Sequence, residues 1–152
     1  MRTEYKWTDG SNKDFIRFYS KTEEYYSNLV GGLQNRQGFV PYNYSDSVTD
    51  VLIAYIDGVP VGCAGLRRHS NSDAELKRVW VEPEYRSQHI ATDLIGQIEE
   101  KARKQGFKRI VLQTREKMRN AVKLYRKRGY KQIENYPPYD KLDGAVCYSK
   151  EL

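Results

Sequence analysis

Apolar residues fall along this chain in two rhythms, every second residue or every third to fourth, and the changes of rhythm mark its elements. Two β-type runs, residues 51–56 and 61–66, flank Asp57-Gly58, a strong signal for a tight hairpin, and are read as antiparallel neighbours. Upstream, residues 5–7 form a candidate first strand, and Asp9, Gly10 and Ser11 a turn that caps a helix from about residue 12. Phe15, Ile16, Phe18 and Tyr19 carry its helical spacing, which continues or restarts through Tyr25, Tyr26 and Leu29 before Gly31-Gly32 ends it. Residues 33–50 turn to Gln, Asn, Ser, Tyr, Gly and Pro and read as an irregular loop.

After a turn at residues 67–73, alternation returns over 75–81, with Leu76 and Trp80 expected on one face and Glu75, Val79 and Val81 on the other; Pro83 stops this strand. Ile90, Leu94, Ile95, Ile98 and Ala102 then predict an amphipathic helix stopped by Gly106, followed by a short buried strand at 110–113. Met118, Ala121, Val122, Leu124 and Tyr125 mark another helix, ended at Gly129, and residues 130–133 and 145–149 read as the last strands, with Pro137-Pro138 and Gly144 in the loop between. An antiparallel meander followed by a strand, helix, strand crossover predicts an α/β (α+β) fold: a mixed, mostly antiparallel central sheet with helices on its faces.

The length of 152 residues suits one domain, residues 1–152, with a real core and no room for a second. Lys and Arg exceed Asp and Glu by 26 to 20, which favours anionic partners without naming them. Cys63 and Cys147 sit in apolar runs, and the two cysteines and two histidines lack metal spacing, so neither a disulfide scaffold nor a bound metal is expected. The N-terminal residues lack the apolar segment of a signal peptide, and no run is long and apolar enough to span a bilayer; a cytoplasmic location is the expectation.

The strand ending at Val81 leads through Tyr85 and a short run to the small residue Ala91, which opens the next helix. The first amides of that helix have no partner inside it and can hold an anion, which points to a coenzyme A site. Val81, Pro83, Tyr85, Arg86 and Ala91, followed by Asn120-Ala121, Leu124-Tyr125 and Gly129-Tyr130, resemble in order and spacing the motifs of the GNAT superfamily of acyl-CoA N-acyltransferases. His89 stands where that family carries glycine. Histidine tolerates positive φ better than most residues, so a similar turn with weaker coenzyme binding is expected.

The resemblance implies a GNAT-like sheet with splayed central strands, acetyl-CoA as cosubstrate and transfer of an acetyl group to a primary amine by direct attack on the thioester. It places the pantetheine along the strand of Val79 and Val81, with the amides of Gln88, His89, Ile90 and Ala91 on the pyrophosphate and Arg86 close by as a charge. A backbone N–H near Val79 would meet the oxyanion. Asn120 is a second cofactor contact, with a helix cap as its competing reading. Tyr125, a phenol with an ordinary pKa of about 10, is the candidate acid for the departing thiolate, with core packing as its alternative. Glu75 is the candidate base for the amine, set against a simply solvated carboxylate.

For the acceptor, Tyr42, Tyr44, Tyr136 and Tyr139 fall in loops that the family architecture sets beside the cleft, where aromatic faces near Asp140 or Asp143 would suit a cationic amine. The basic run Lys123, Arg126, Lys127, Arg128 and Lys131 is a candidate for the 3′-phosphate, though such runs are usually solvated, and His69 reads as exposed. A small metabolite is the leading acceptor, a protein or peptide amine the alternative; a homodimer is left open. A non-catalytic acyl-CoA sensor is a third reading, opposed by the presence of both Glu75 and Tyr125. Nucleic acid is not expected, because no compact aromatic and basic recognition motif is visible.

Overall fold

A computed structural model describes residues 2–29 and 48–152. Seven strands form one sheet, β1 (Thr3–Thr8), β2 (Asp50–Ile56), β3 (Val59–Arg68), β4 (Asp73–Val81), β5 (Arg109–Arg115), β6 (Lys131–Ile133) and β7 (Ala145–Glu151), in the spatial order β1-β2-β3-β4-β5-β7-β6. Every neighbouring pair is antiparallel except β4 with β5, the pair joined through a helix. The helices are α1 (Lys13–Leu29), α2 (Ile90–Lys104) and α3 (Arg119–Lys127). Among the described residues no helix is long and apolar enough to cross a membrane.

Local chemistry accounts for the ends of these elements. Asp57 and Gly58 take φ of 51° and 80°, the left-handed pair a two-residue hairpin needs. The Asn12 side chain caps α1, its Oδ1 accepting from the amides of Asp14 (2.8 Å) and Phe15 (3.1 Å). The run from Phe15 to Leu29 is one uninterrupted helix; Gly31-Gly32 and residues 30–47 lie outside the described residues. Gly106 and Gly129, with φ of 89° and 96°, follow the ends of α2 and α3 as expected.

Alternation along the strands divides the core between the two faces of the sheet. On one face Leu52, Ala54, Leu66, Leu76 and Val81 pack with Leu94, Ile95 and Ile98 of α2 and Tyr125 of α3. On the other, Val51, Ile53, Cys63 and Trp80 pack with Phe15 and Phe18 of α1. One expectation fails here: Leu76 and Trp80 lie on opposite faces. Arg78 adopts φ 55°, and the β3–β4 register slips between Cys63, opposite Trp80, and Gly65, opposite Lys77. That bulge puts an extra residue into β4 and exchanges the faces of everything beyond it.

Candidate active site

β4 and β5 begin side by side and then part. They pair only from Asp73 opposite Arg109 to Glu75 opposite Val111. Beyond that point β5 stays with β7 as far as Arg115, while β4 stays with β3 as far as Val81. From Leu76 onward β4 therefore has no strand partner on its β5 side, an edge with which an extended ligand can pair. The wedge is a cavity of about 570 Å³, within the usual range for small-molecule sites. Val79, Val81, Ala91, Asn120, Ala121, Leu124 and Tyr125 line it, together with Tyr25, Lys77, Arg78, Trp80 and Arg86. The second set lies toward α1: the Arg78 guanidinium stacks on Tyr19 and pairs with Glu23, and the Tyr25 ring meets Trp80 edge-on at 5.5 Å.

At one end of the wedge the chain makes the turn expected to grip an anion. Ser87 and His89 have φ of 66° and 64°, and α2 starts immediately afterwards. The Asp93 amide donates to the His89 carbonyl (3.0 Å), so the amides of Gln88, His89, Ile90 and Ala91 precede that first helical bond and stand at the positive end of α2. His89 thus adopts the left-handed geometry, at a cost of about 1 kcal/mol that glycine would avoid. Of these four residues Ala91 reaches the cavity wall; Gln88 and His89 are exposed and the Ile90 side chain is in the core. Gly62 permits the close approach of β3 beneath this turn, since a Cβ there would lie 2.9 Å from the Trp80 carbonyl oxygen.

Arg86, expected close to the pyrophosphate as a charge, lines the same cavity and makes protein contacts of its own. Its Nε donates to the Val81 carbonyl (2.9 Å), and its guanidinium lies over the rings of Trp80 (4.9 Å) and Tyr25 (5.8 Å), so it secures the end of β4 and faces the α1 side of the wedge. Asn120 is exposed in the first turn of α3, whose N-cap is Met118; Asn120 is therefore not the cap, and its side chain is at the cavity wall. Tyr125 is nearly buried, edge-on to Tyr130 at 5.8 Å, and faces the cavity from α3.

Glu75 stands apart from this group. It is fully buried where β4 and β5 are still paired, accepting from Arg67 Nε (2.7 Å) and the Tyr136 hydroxyl (2.7 Å), and is absent from the cavity lining. Its burial contradicts the solvated-carboxylate reading and sets the carboxylate behind Arg67 and Tyr136. Burial, reinforced by the neighbouring Glu75 charge, pushes the Tyr136 phenol far up, so it remains a donor to that carboxylate. Tyr139 is buried too and accepts from Lys77 Nζ (3.0 Å), while Asp140 and Asp143 are exposed and do not line the cavity. The aromatic and acidic edge expected for a cationic acceptor is thus not formed by these three residues. Tyr42 and Tyr44 lie outside the described residues.

Lys77 and Arg78, which sequence reasoning passed over, are nearly buried cations on the cavity wall. The available signal was two adjacent cations inside an otherwise apolar strand. Burial pushes the Lys77 amine down to about 8, with Glu75 at 4.0 Å pulling the other way. The unfolded chain keeps that proton to the ordinary value of 10.5, so between these values it binds more protons than the folded chain and stability rises with pH. Denaturant titrations of wild type and Lys77→Met are expected to diverge in favour of wild type by about 2 kcal/mol between about pH 7.5 and 9.5. A constant difference would mean that Lys77 titrates normally.

A family model described as the acetyltransferase (GNAT) family matches residues 15–130. The chain belongs to the GNAT acetyltransferase family. Among GNAT relatives, an IAA acetyltransferase of Azospirillum brasilense is 32% identical over 89 residues, 58% of each chain. An aminoalkylphosphonate N-acetyltransferase of Salmonella typhimurium is 33% identical over 102 residues, 64% of this chain and 66% of that one. The chain spans between 37% and 66% of the lengths of the curated relatives it matches. In structure, the PaiA N-acetyltransferase of Thermoplasma acidophilum, solved with coenzyme A, superposes with a TM-score of 0.75 at 18% identity over 100% of both chains.

Proposed function

We propose that this GNAT chain transfers an acetyl group from acetyl-CoA to the primary amine of a small molecule. The observation that carries this reading is the wedge between β4 and β5, with an unpaired strand edge along one wall, Tyr125 on the other and helix-terminal amides at its end. In this reading the pantetheine pairs with β4 beyond Glu75, the pyrophosphate lies on the amides of Gln88 to Ala91, and Asn120 flanks the coenzyme. The fold's likeness to a protein solved with coenzyme A supports that placement. A relative whose name gives an aminoalkylphosphonate as acceptor supports a small amine over a protein side chain.

The acceptor nitrogen attacks the thioester carbonyl, forming the N–C bond, and a backbone N–H near Val79 meets the oxyanion. The C–S bond then breaks and Tyr125 gives its proton to the thiolate, whose conjugate acid has a pKa of about 8.5, and regains one from the water that receives the amine proton. Because Glu75 is enclosed by Arg67 and Tyr136, we assign removal of the amine proton to water in the open wedge. A thiol-release assay over a panel of amines is expected to show acetyl-CoA turnover with small primary amines. Coenzyme binding with no turnover on any amine would favour a sensor.

A further inference from the structure

We propose that the acceptor carries an anionic group beside its amine, a carboxylate or a phosphate-type oxyanion, and that Lys77, Arg78 and Arg86 receive it; this rests on the acetyltransferase reading above. The anion seat for the coenzyme is at the start of α2, on the face opposite α1. The acceptor must then approach Tyr125 from the α1 side, and the cavity wall there presents Lys77, Arg78 and Arg86. Among the described residues no Asp or Glu lines the cavity. Among the described residues the acids behind this wall are Glu75, shared by Arg67 and Lys77, Glu23, paired with Arg78, and Glu82, paired with Lys21 and accepting from the Trp80 indole. Arg86 bonds the Val81 carbonyl and lies over two rings. Among the described residues five cations, Lys21, Arg67, Lys77, Arg78 and Arg86, thus meet three carboxylates, and Lys77 and Arg78 are only 8% exposed, where water screens charge weakly.

A simple cationic amine would enter against that field. A protonated amine bearing a carboxylate is neutral overall and one bearing a phosphate monoester is net negative near pH 7, and in either the anion would be held while the nitrogen points across the wedge toward Tyr125.

The test uses the full chain with saturating acetyl-CoA and acceptor pairs matched in amine basicity, 3-aminopropionate against 3-aminopropanol and O-phosphoethanolamine against ethanolamine. The anionic member of at least one pair is expected to have a kcat/KM about ten- to a hundred-fold higher, the scale of a charged hydrogen bond, and the pair that responds identifies the oxyanion. Added salt should lower that value and leave unchanged or raise that of the member without an oxyanion, itself a cation. In Lys77→Met the ratio is expected to fall about ten-fold, chiefly through KM, with coenzyme affinity by calorimetry retained. Should Lys77→Met fail to fold, the exposed Arg86→Gln is expected to lower the same ratio several-fold. Acceptors without an oxyanion equal to or better than those with one, no turnover of either oxyanion-bearing acceptor by a chain that binds coenzyme, or a ratio unmoved in a folded variant would overturn the inference. Failure of the wild type to bind coenzyme would instead remove the acetyltransferase reading itself, and this inference with it.

Discussion

Tyr125→Phe is expected to lower kcat by about a hundred-fold or more while coenzyme affinity changes only a few-fold. The two halves of that expectation have separate physical grounds. The ring of Tyr125 is nearly buried in the core shared by α2 and α3 and packs edge-on against Tyr130, and phenylalanine keeps that ring in place. In the proposed placement, affinity set by β4 and the α2 amides then changes little. What is lost is one hydroxyl on the wall of the wedge and, in the mechanism proposed above, the proton for the departing sulfur. A thiolate leaving without a proton is a poorer leaving group at any pH below its own pKa, so the loss should shrink as pH rises through about 8.5. Pre-steady-state acetyl transfer, which isolates the chemical step, is the appropriate measurement. Unchanged single-turnover rates in Tyr125→Phe would return this residue to a packing role.

Glu99→Ala is expected to destabilise the fold by about 3 kcal/mol, read as a lower midpoint in urea. Glu99 lies on the inner side of α2, nearly buried, and accepts from Arg128 Nη2 (2.7 Å), the Tyr130 hydroxyl (2.9 Å) and Lys150 Nζ (3.1 Å). One carboxylate thus joins α2, the end of α3 and β7. Burial, together with the Glu99 charge, pushes the Tyr130 phenol upward, keeping it protonated and donating. Removing the carboxylate leaves two cations and a hydroxyl facing each other without their common acceptor. Arg128 and Lys150 retain about a quarter of their side-chain exposure and recover some water, which sets the expected loss at the lower end for a buried ion cluster. Glu99→Gln, which fills the space and keeps an acceptor, should lose less. A loss below about 1 kcal/mol in Glu99→Ala would show the cluster to be effectively solvated.

These two sites differ in how far they could be read from the sequence. The place of Tyr125 on a helix ended by Gly129 was legible because helical spacing, a terminating glycine and the order of neighbouring motifs are local properties. The hairpin at Asp57-Gly58 and the helix starting at Ile90 were legible for the same reason. Glu99 was not, since its partners lie 29, 31 and 51 residues away and a carboxylate on an amphipathic helix looks the same whether it faces water or a buried arginine. The enclosure of Glu75 was hidden for the complementary reason. Its place at the head of β4 was right, but Arg67 comes from the adjacent strand and Tyr136 from a loop after α3, and no pattern along the chain announces that they enclose it. The bulge at Arg78 was hidden because strict alternation through 75–81 looks plausible in one dimension. Its consequence is large: it carries Trp80 to the α1 side and leaves Lys77 and Arg78 together on the wall of the wedge.

Amide hydrogen exchange measured with and without coenzyme A tests most directly whether the parted strands form the cofactor's seat. Saturating coenzyme is expected to slow exchange in two stretches, β4 from Leu76 to Val81 and the turn from Gln88 to Ala91, with little change along β1, β2 and β6. Binding that leaves both stretches exchanging as in the free chain, or no binding at millimolar coenzyme, would contradict this placement.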